Sequence, residues 1–209
     1  MALLFDGERQ EAVRAMRVAV SGTHCCGKST LIDQFLLAHP EFAHEPEPYT
    51  VLQEDYGEVF AAEPSPHDFY QQLEFNVERL RCYRFGERVI CERSPIDFLA
   101  YMLALNDLGR SADTTQLVER SVGMVREAIE FLDVIVFLPL NDIDGEEISE
   151  SEDPELRIAV DRRLADLLID EEFNFFTSRS PVVLEARGST EERLRKLEGF
   201  METQMASGE

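Results

Sequence analysis

Between an apolar, β-branched run at 17–21 (RVAVS) and a segment at 28–38 (KSTLIDQFLLA) lies the loop Gly22-Thr23-His24-Cys25-Cys26-Gly27-Lys28-Ser29. The first run has the length and residue types of a buried strand; in the second, Leu31, Phe35 and Leu36 fall at helical spacing. Glycines at both ends of such a loop permit backbone angles that turn successive N–H groups inward. The result is a nest that holds phosphate oxygens at the positive end of the following helix. The pattern G-x-x-x-x-G-K-[ST], known as Walker A, works only between a strand and a helix, which is where this one sits. Its backbone from Gly22 through Thr30 would grip the phosphates, Lys28 would reach the outer ones, and the Ser29 hydroxyl would bind magnesium.

The same reading of periodicity gives the rest of the chain. A short extended piece at 42–47 and apolar runs at 88–92 (RVICE), 133–138 (DVIVFL) and 182–185 complete five strands. Helical spacing predicts helices over about 50–62, 65–85, 96–108, 113–132 and 154–176, and a last one from a cap at Ser189 or Thr190 to about 201. Strands alternating with helices imply an α/β fold, a mainly parallel sheet covered on both faces. Ligands of such sheets bind at the carboxyl ends of the strands. That rule selects the residues following Ser21, Glu92 and Leu138. No Pro/Gly/Ser linker interrupts the sequence, so residues 1–209 are expected to form one domain.

Composition removes several function classes. The formal charge of −22 comes from 42 acidic against 20 basic residues. Such a surface repels polyanions, so nucleic acid is not an expected partner and an anionic ligand must be held by a local pocket. No apolar run approaches the roughly 20 residues of a membrane span, and the first ten residues lack a signal-peptide pattern. A cytoplasmic location is expected, with no membrane partner. Cys25, Cys26, Cys82 and Cys91 show neither C-x-x-C spacing nor a histidine at ligand spacing, against structural zinc or a disulfide framework. The four histidines read as surface or loop residues. Oligomeric state is open, a homodimer included.

Four blocks together resemble a known family: GTHCCGKST, His44-Glu45-Pro46-Glu47-Pro48-Tyr49, Phe69-Tyr70-Gln71-Gln72, and Glu92-Arg93-Ser94-Pro95-Ile96-Asp97-Phe98-Leu99-Ala100-Tyr101. They are similar to the small-molecule P-loop kinases, both the deoxynucleoside kinases and the ribosylnicotinamide-kinase-type AAA domains, over about residues 17–200. The resemblance implies the three-layer P-loop NTPase fold with a small lid at about 141–163. It also implies ATP and Mg2+ as cofactors, and transfer of a phosphoryl group to a hydroxyl of a nucleoside-like metabolite. It makes Glu45 the proton acceptor, with Glu47 a close competitor, and Glu92 the group that orients the metal with Ser29. Arg93 would face the phosphoryl group or the substrate. Gln71 or Gln72 would meet a nucleobase edge, and the turn at Gly188 would lie against adenine. Asp97 either contacts substrate or caps the helix after Pro95.

One feature departs from that family. The lid position holds the acidic run 142–155 (DIDGEEISESEDPE), which would repel ATP. Arg157, Arg162 and Arg163 follow, but on one helix Arg157 and Arg162 stand about 140° apart. These arginines could converge only if the helix were broken or started later. If not, the lid is weak and the chain could be a nucleotide-binding regulatory protein with little transfer.

Overall fold

The continuous apolar runs become strands buried on both faces. In the computed structural model, which describes residues 15–61, 63–83, 87–111, 114–141, 153–170, 172–177 and 180–206, they are β1 (Met16–Ser21), β2 (Ala43–Glu45), β3 (Arg88–Glu92), β4 (Val134–Phe137) and β5 (Val182–Glu185). They form one five-stranded sheet in the order β2-β3-β1-β4-β5, and every pairing is parallel. Period-two alternation divides their side chains between two cores. Val18, Val20, Ile90, Val134 and Val136 face one layer; Ala19, Val89, Cys91, Ile135 and Phe137 face the other.

The first layer contains α1 (Lys28–Ala38) and α7 (Thr190–Ala206), which contribute Leu31, Ile32, Phe35 and Leu197. The opposite layer contains α3 (Pro66–Cys82), α4 (Pro95–Asp107), α5 (Thr115–Ala128) and α6 (Pro154–Leu168), while α2 (Pro48–Glu54) packs beside α3. Helix α4 is apolar all round and buries every residue from Pro95 through Leu105. A helix of that kind belongs in the centre of a layer, and α4 lies packed against α3, α5 and α6. The serine-proline pairs Ser65-Pro66 and Ser94-Pro95 start α3 and α4, each with a capping box closed by an aspartate at the third helical position.

Several expected boundaries shift. Helix α2 begins at Pro48, a first-turn proline, rather than near 50, and ends at Glu54 instead of near 62. The helix expected over 154–176 stops at Leu168. Beyond it, Phe173 and Asn174 take left-handed angles (φ 69° and 49°), and the reversal tucks Phe175 into the core beneath the Arg126 guanidinium. Burial of that ring outweighs the helical pattern. Most of the acidic run, 142–152, lies outside the described residues. No helix among the described residues is long and apolar enough to cross a membrane.

Candidate active site

Because β1 lies between β3 and β4, the chain leaves β1 at the middle of the sheet, and the glycine loop sits above the strand ends. Its two glycines are required by space as well as by angle. A Cβ on Gly22 would lie 2.5 Å from Cys26 Sγ and 2.9 Å from Leu138 O; Gly27 has φ +86° and a Cβ there would lie 2.8 Å from Arg193 Nη1. Lys28 is buried and donates from Nζ to Thr23 O at 2.8 Å, folded back over the loop. The Ser29 hydroxyl donates to Glu92 Oε1 at 2.8 Å. A hydroxyl and a carboxylate in contact at a helix N-terminus are the hard oxygen donors that suit magnesium, so the residues present fit a Mg2+–nucleotide. None of the four cysteines is in a disulfide; Cys25 is exposed and Cys26 buried. Burial raises the Cys26 thiol pKa despite Lys28, Arg93 and Arg193 nearby, which keeps it protonated and inert.

A buried polar network ties the loop to β3 and α4. Arg93, at φ 80°, follows β3 and donates its amide to Val20 O at 3.0 Å. Its guanidinium donates to Gly22 O at 3.0 Å and to Asp97 Oδ1 at 3.4 Å, and pairs with Glu47. Asp97 accepts the Gly22 amide at 3.0 Å on one oxygen and the Ser94 amide and hydroxyl at 2.9 Å on the other. Asp97 thus caps α4 and anchors the loop at once. It is fully buried and does not reach the adjoining cavity.

That cavity, about 380 Å3, opens beside the loop. Its apolar walls include the stacked pairs Phe69–Tyr101 and Tyr49–Phe60, with ring centroids 4.5 and 4.9 Å apart, and Phe98. Its polar lining is His24, Glu47, Asp68, Gln72, Arg93 and Asp153. Burial pushes the Glu47 carboxyl up, but Arg93 and Lys28 beside it prevail and hold it below its ordinary value. Burial also opposes the charge on Arg93, yet Glu47, Tyr101 and Asp97 keep it firmly protonated.

The expected site residues divide. Lys28, Ser29, Glu92, Glu47, Arg93, Gln72 and Arg157 gather at or around the loop and cavity. Glu45 does not: it is buried at the end of β2, gripped by Arg79 Nε and Nη2 at 2.9 and 2.8 Å and by the Tyr83 hydroxyl. Gln71 lines a separate groove with Glu74, Phe75 and Glu78. On continuous α6, Arg157 reaches the loop and donates to His24 O and Cys25 O. Arg162 is exposed, and Arg163 forks onto Asp107 at 2.6 and 2.7 Å. Gly188 has φ +92° and its carbonyl accepts from Asn141 Nδ2 at 3.5 Å.

Three side chains take roles that the sequence motifs do not assign. His24, expected in the phosphate loop, also lines the cavity and has its ring Nδ1 3.2 Å from the Tyr101 hydroxyl, which accepts the His24 amide at 3.1 Å. Tyr101 belongs to the Glu92–Tyr101 block but carries no role there, and Arg193 lies in the first turn of the last helix, where only capping is expected. The missed signal for Gln72 over Gln71 was periodicity, since Gln72 falls on the buried stripe of Phe69, Leu73, Asn76 and Leu80.

A family model described as an AAA domain matches residues 17–193. Among solved structures, deoxyadenosine kinase from M. mycoides with bound dATP superposes with a TM-score of 0.63 at 12% identity, covering 90% of this chain and 99% of that one. The same kinase with dCMP and dCDP bound gives 0.64 at 12% identity with the same coverage. Thymidylate kinase from Candida albicans gives 0.64 at 14% identity, covering 92% and 93%. No curated protein matches the sequence. The chain therefore has the fold of nucleoside and nucleotide kinases.

Proposed function

Because the chain belongs to the AAA domain family, with a nucleoside-kinase-like fold, we propose that it is an ATP- and Mg2+-dependent kinase acting on a hydroxyl of a nucleoside or nucleoside-like compound. The observation that carries the reading is the junction of two spaces. A glycine loop built for phosphates adjoins an aromatic cavity, and Glu47 and Arg93 stand in that cavity's lining.

Bound Mg2+–ATP would supply the transferable γ-phosphoryl group. Backbone amides from Thr23 to Thr30 and Lys28 hold the phosphate tail, and Ser29 with Glu92 holds the metal. The aromatic pairs hold a flat ring and Gln72 meets its polar edge. Glu47 accepts the proton of the attacking hydroxyl as the new O–P bond forms and the bond to the ADP leaving group breaks. Arg93 orients Glu47 and offsets charge spreading over the phosphoryl oxygens. Most of the rate then comes from alignment, because phosphoryl transfer demands little covalent chemistry from the protein.

Charge in the cavity points to an uncharged acceptor. Among the described residues Arg93 is the one Arg or Lys in its lining, it is already paired with Glu47 and Asp97, and Asp68 and Asp153 add further carboxylates. A monophosphate would meet no Arg or Lys there, among the described residues, that is not already paired, and would enter at a desolvation penalty. Incubation with γ-labelled ATP, Mg2+ and paired panels of nucleosides and their monophosphates tests this: label is expected on a nucleoside and on none of the monophosphates. Transfer that survives Lys28→Ala would refute the mechanism. Tight ATP binding with no transfer to any acceptor would favour the regulatory alternative that the acidic 142–155 run motivates.

A further inference from the structure

Five consecutive carbonyls of the loop each accept a hydrogen bond from a cationic side chain. Arg93 Nη1 donates to Gly22 O at 3.0 Å and Lys28 Nζ to Thr23 O at 2.8 Å. Arg157 Nε and Nη2 donate to His24 O and Cys25 O at 3.1 and 3.0 Å, and Arg193 Nη1 donates to Cys26 O at 2.7 Å. Only with Gly27 O, which accepts from Leu31 N at 3.1 Å, does ordinary helix bonding begin. In a chain whose acidic residues number 42 against 20 basic, this concentration of cations on one loop has a structural meaning.

A peptide unit is planar, with its C=O and N–H pointing in opposite directions. Fixing the carbonyl of one residue outward therefore aims the amide of the next residue inward. Arg193 acts in this way on the Cys26–Gly27 unit, so the Gly27 N–H is turned toward the phosphate side of the loop. The guanidinium also lies against Gly27, where a Cβ would be 2.8 Å from Nη1. Arg193 is only 2% exposed, so it works from behind the loop.

Its own position is built into the start of α7. The Ser189 amide donates to Glu192 Oε2 at 2.8 Å, the Glu192 amide to Ser189 Oγ at 3.3 Å, and the Arg193 amide to Ser189 O at 3.0 Å. Glu192 closes over Gly188, where a Cβ would meet Oε2 at 2.3 Å. The turn at Gly188 and the phosphate loop are thereby joined through one capped helical turn.

We infer that Arg193 is a positioning residue of the phosphate cradle: it presets the Gly27 amide, and adds positive potential behind it, without touching the nucleotide. The inference rests on reading the loop as a phosphate site. Loss of one buried, charge-assisted bond that sets a phosphate-binding amide is expected to weaken triphosphate binding by roughly tenfold or more.

The test is calorimetry with inorganic tripolyphosphate plus Mg2+, and separately with adenosine, on wild type, Arg193→Met and Arg193→Lys. Tripolyphosphate affinity is expected to fall in R193M, with partial recovery in R193K, while adenosine affinity stays within about twofold. A purely structural role would lower both ligands together, and that outcome, or unchanged tripolyphosphate affinity in R193M, overturns the inference. Should R193M not fold, R193K decides: the compact ammonium replaces a planar fork, so unchanged tripolyphosphate affinity overturns the proposal and a selective loss supports it. Wild type that binds neither tripolyphosphate nor ATP refutes the phosphate-site reading itself, a result distinct from failure of the Arg193 variants.

Discussion

Pro46 stands between Glu45 and Glu47, and the strand ends at Glu45, so the two carboxylates leave in different directions. Glu45 goes to Arg79 and Tyr83; Glu47 goes to Arg93 and the cavity. If Glu47 is the proton acceptor, Glu47→Gln lowers label transfer by about 10²–10⁴ with ATP affinity retained. Glu45→Gln leaves transfer within a few-fold and lowers stability by about 1–2 kcal/mol in urea unfolding, a figure kept modest because Arg79 is 45% exposed on its side chain. The opposite ranking of the two variants would return the role to Glu45. The depressed pKa of Glu47 adds a signed consequence. A carboxyl whose folded value lies below its unfolded one contributes stability at neutral pH and loses it as pH falls through the folded value. The Glu47 contribution should therefore vanish only below pH 4.5, the ordinary value, and the stability difference between wild type and E47Q should shrink over that interval. A difference independent of pH would show that the carboxylate is not stabilised by its pairing.

At the scale of elements, the starts of α3, α4 and α6 were legible, and the ends of α2 and α6 were not. Ser65-Pro66, Ser94-Pro95 and Asp153-Pro154 announce α3, α4 and α6, because a proline without an N–H is harmless in the first turn and the preceding side chain caps it or its neighbours. The end of α6 depends on Phe175 reaching a core built by distant segments, which local pattern does not record. The site divides along the same line. The candidate residues that the fold brings together at the loop come from short local stretches of sequence: the loop itself, Glu92-Arg93 and Arg157. Glu45's bond to Arg79, 34 residues on, and Arg193's to Cys26, 167 residues away, required the folded sheet. Helical phase did specify packing, and it gives a contrast that urea titration can check. Leu99, fully buried in α4, should cost about 2–5 kcal/mol when changed to alanine. Leu37, on the outer face of α1 and 78% exposed, should stay within about 0.5 kcal/mol. Similar losses at both positions would mean that α1 is covered by something beyond this chain.

For the molecule as a whole, a net charge of −22 acts on every element at once. Local pairs such as Arg163 with Asp107 and Arg88 with Glu41 are attractive, and salt weakens them. The excess of 22 negative charges is repulsive, and salt relieves it. Range decides which effect dominates. The pairs are contacts of 2.6–2.7 Å, closer than the Debye length even at about 1 M salt, roughly 3 Å. The unpaired carboxylates interact across longer separations, which a screening length shrinking from about 10 Å at 0.1 M removes almost entirely. Repulsion should therefore be lost first, and the thermal midpoint should rise by several degrees between 0.1 and 1 M KCl. For a chain of this size each kcal/mol of added stability moves the midpoint by roughly 2–4 °C. Choline chloride should give a comparable rise if screening alone is responsible; a rise confined to K+ would indicate bound cations instead. A midpoint that falls with KCl would mean that the fold depends on its ion pairs more than it suffers from its net charge. Triphosphate affinity should move the opposite way over the same series, because the cations around Gly22–Cys26 attract phosphate while screening weakens that attraction. One salt titration with both readouts thus separates the charge that opposes folding from the local charge that serves binding.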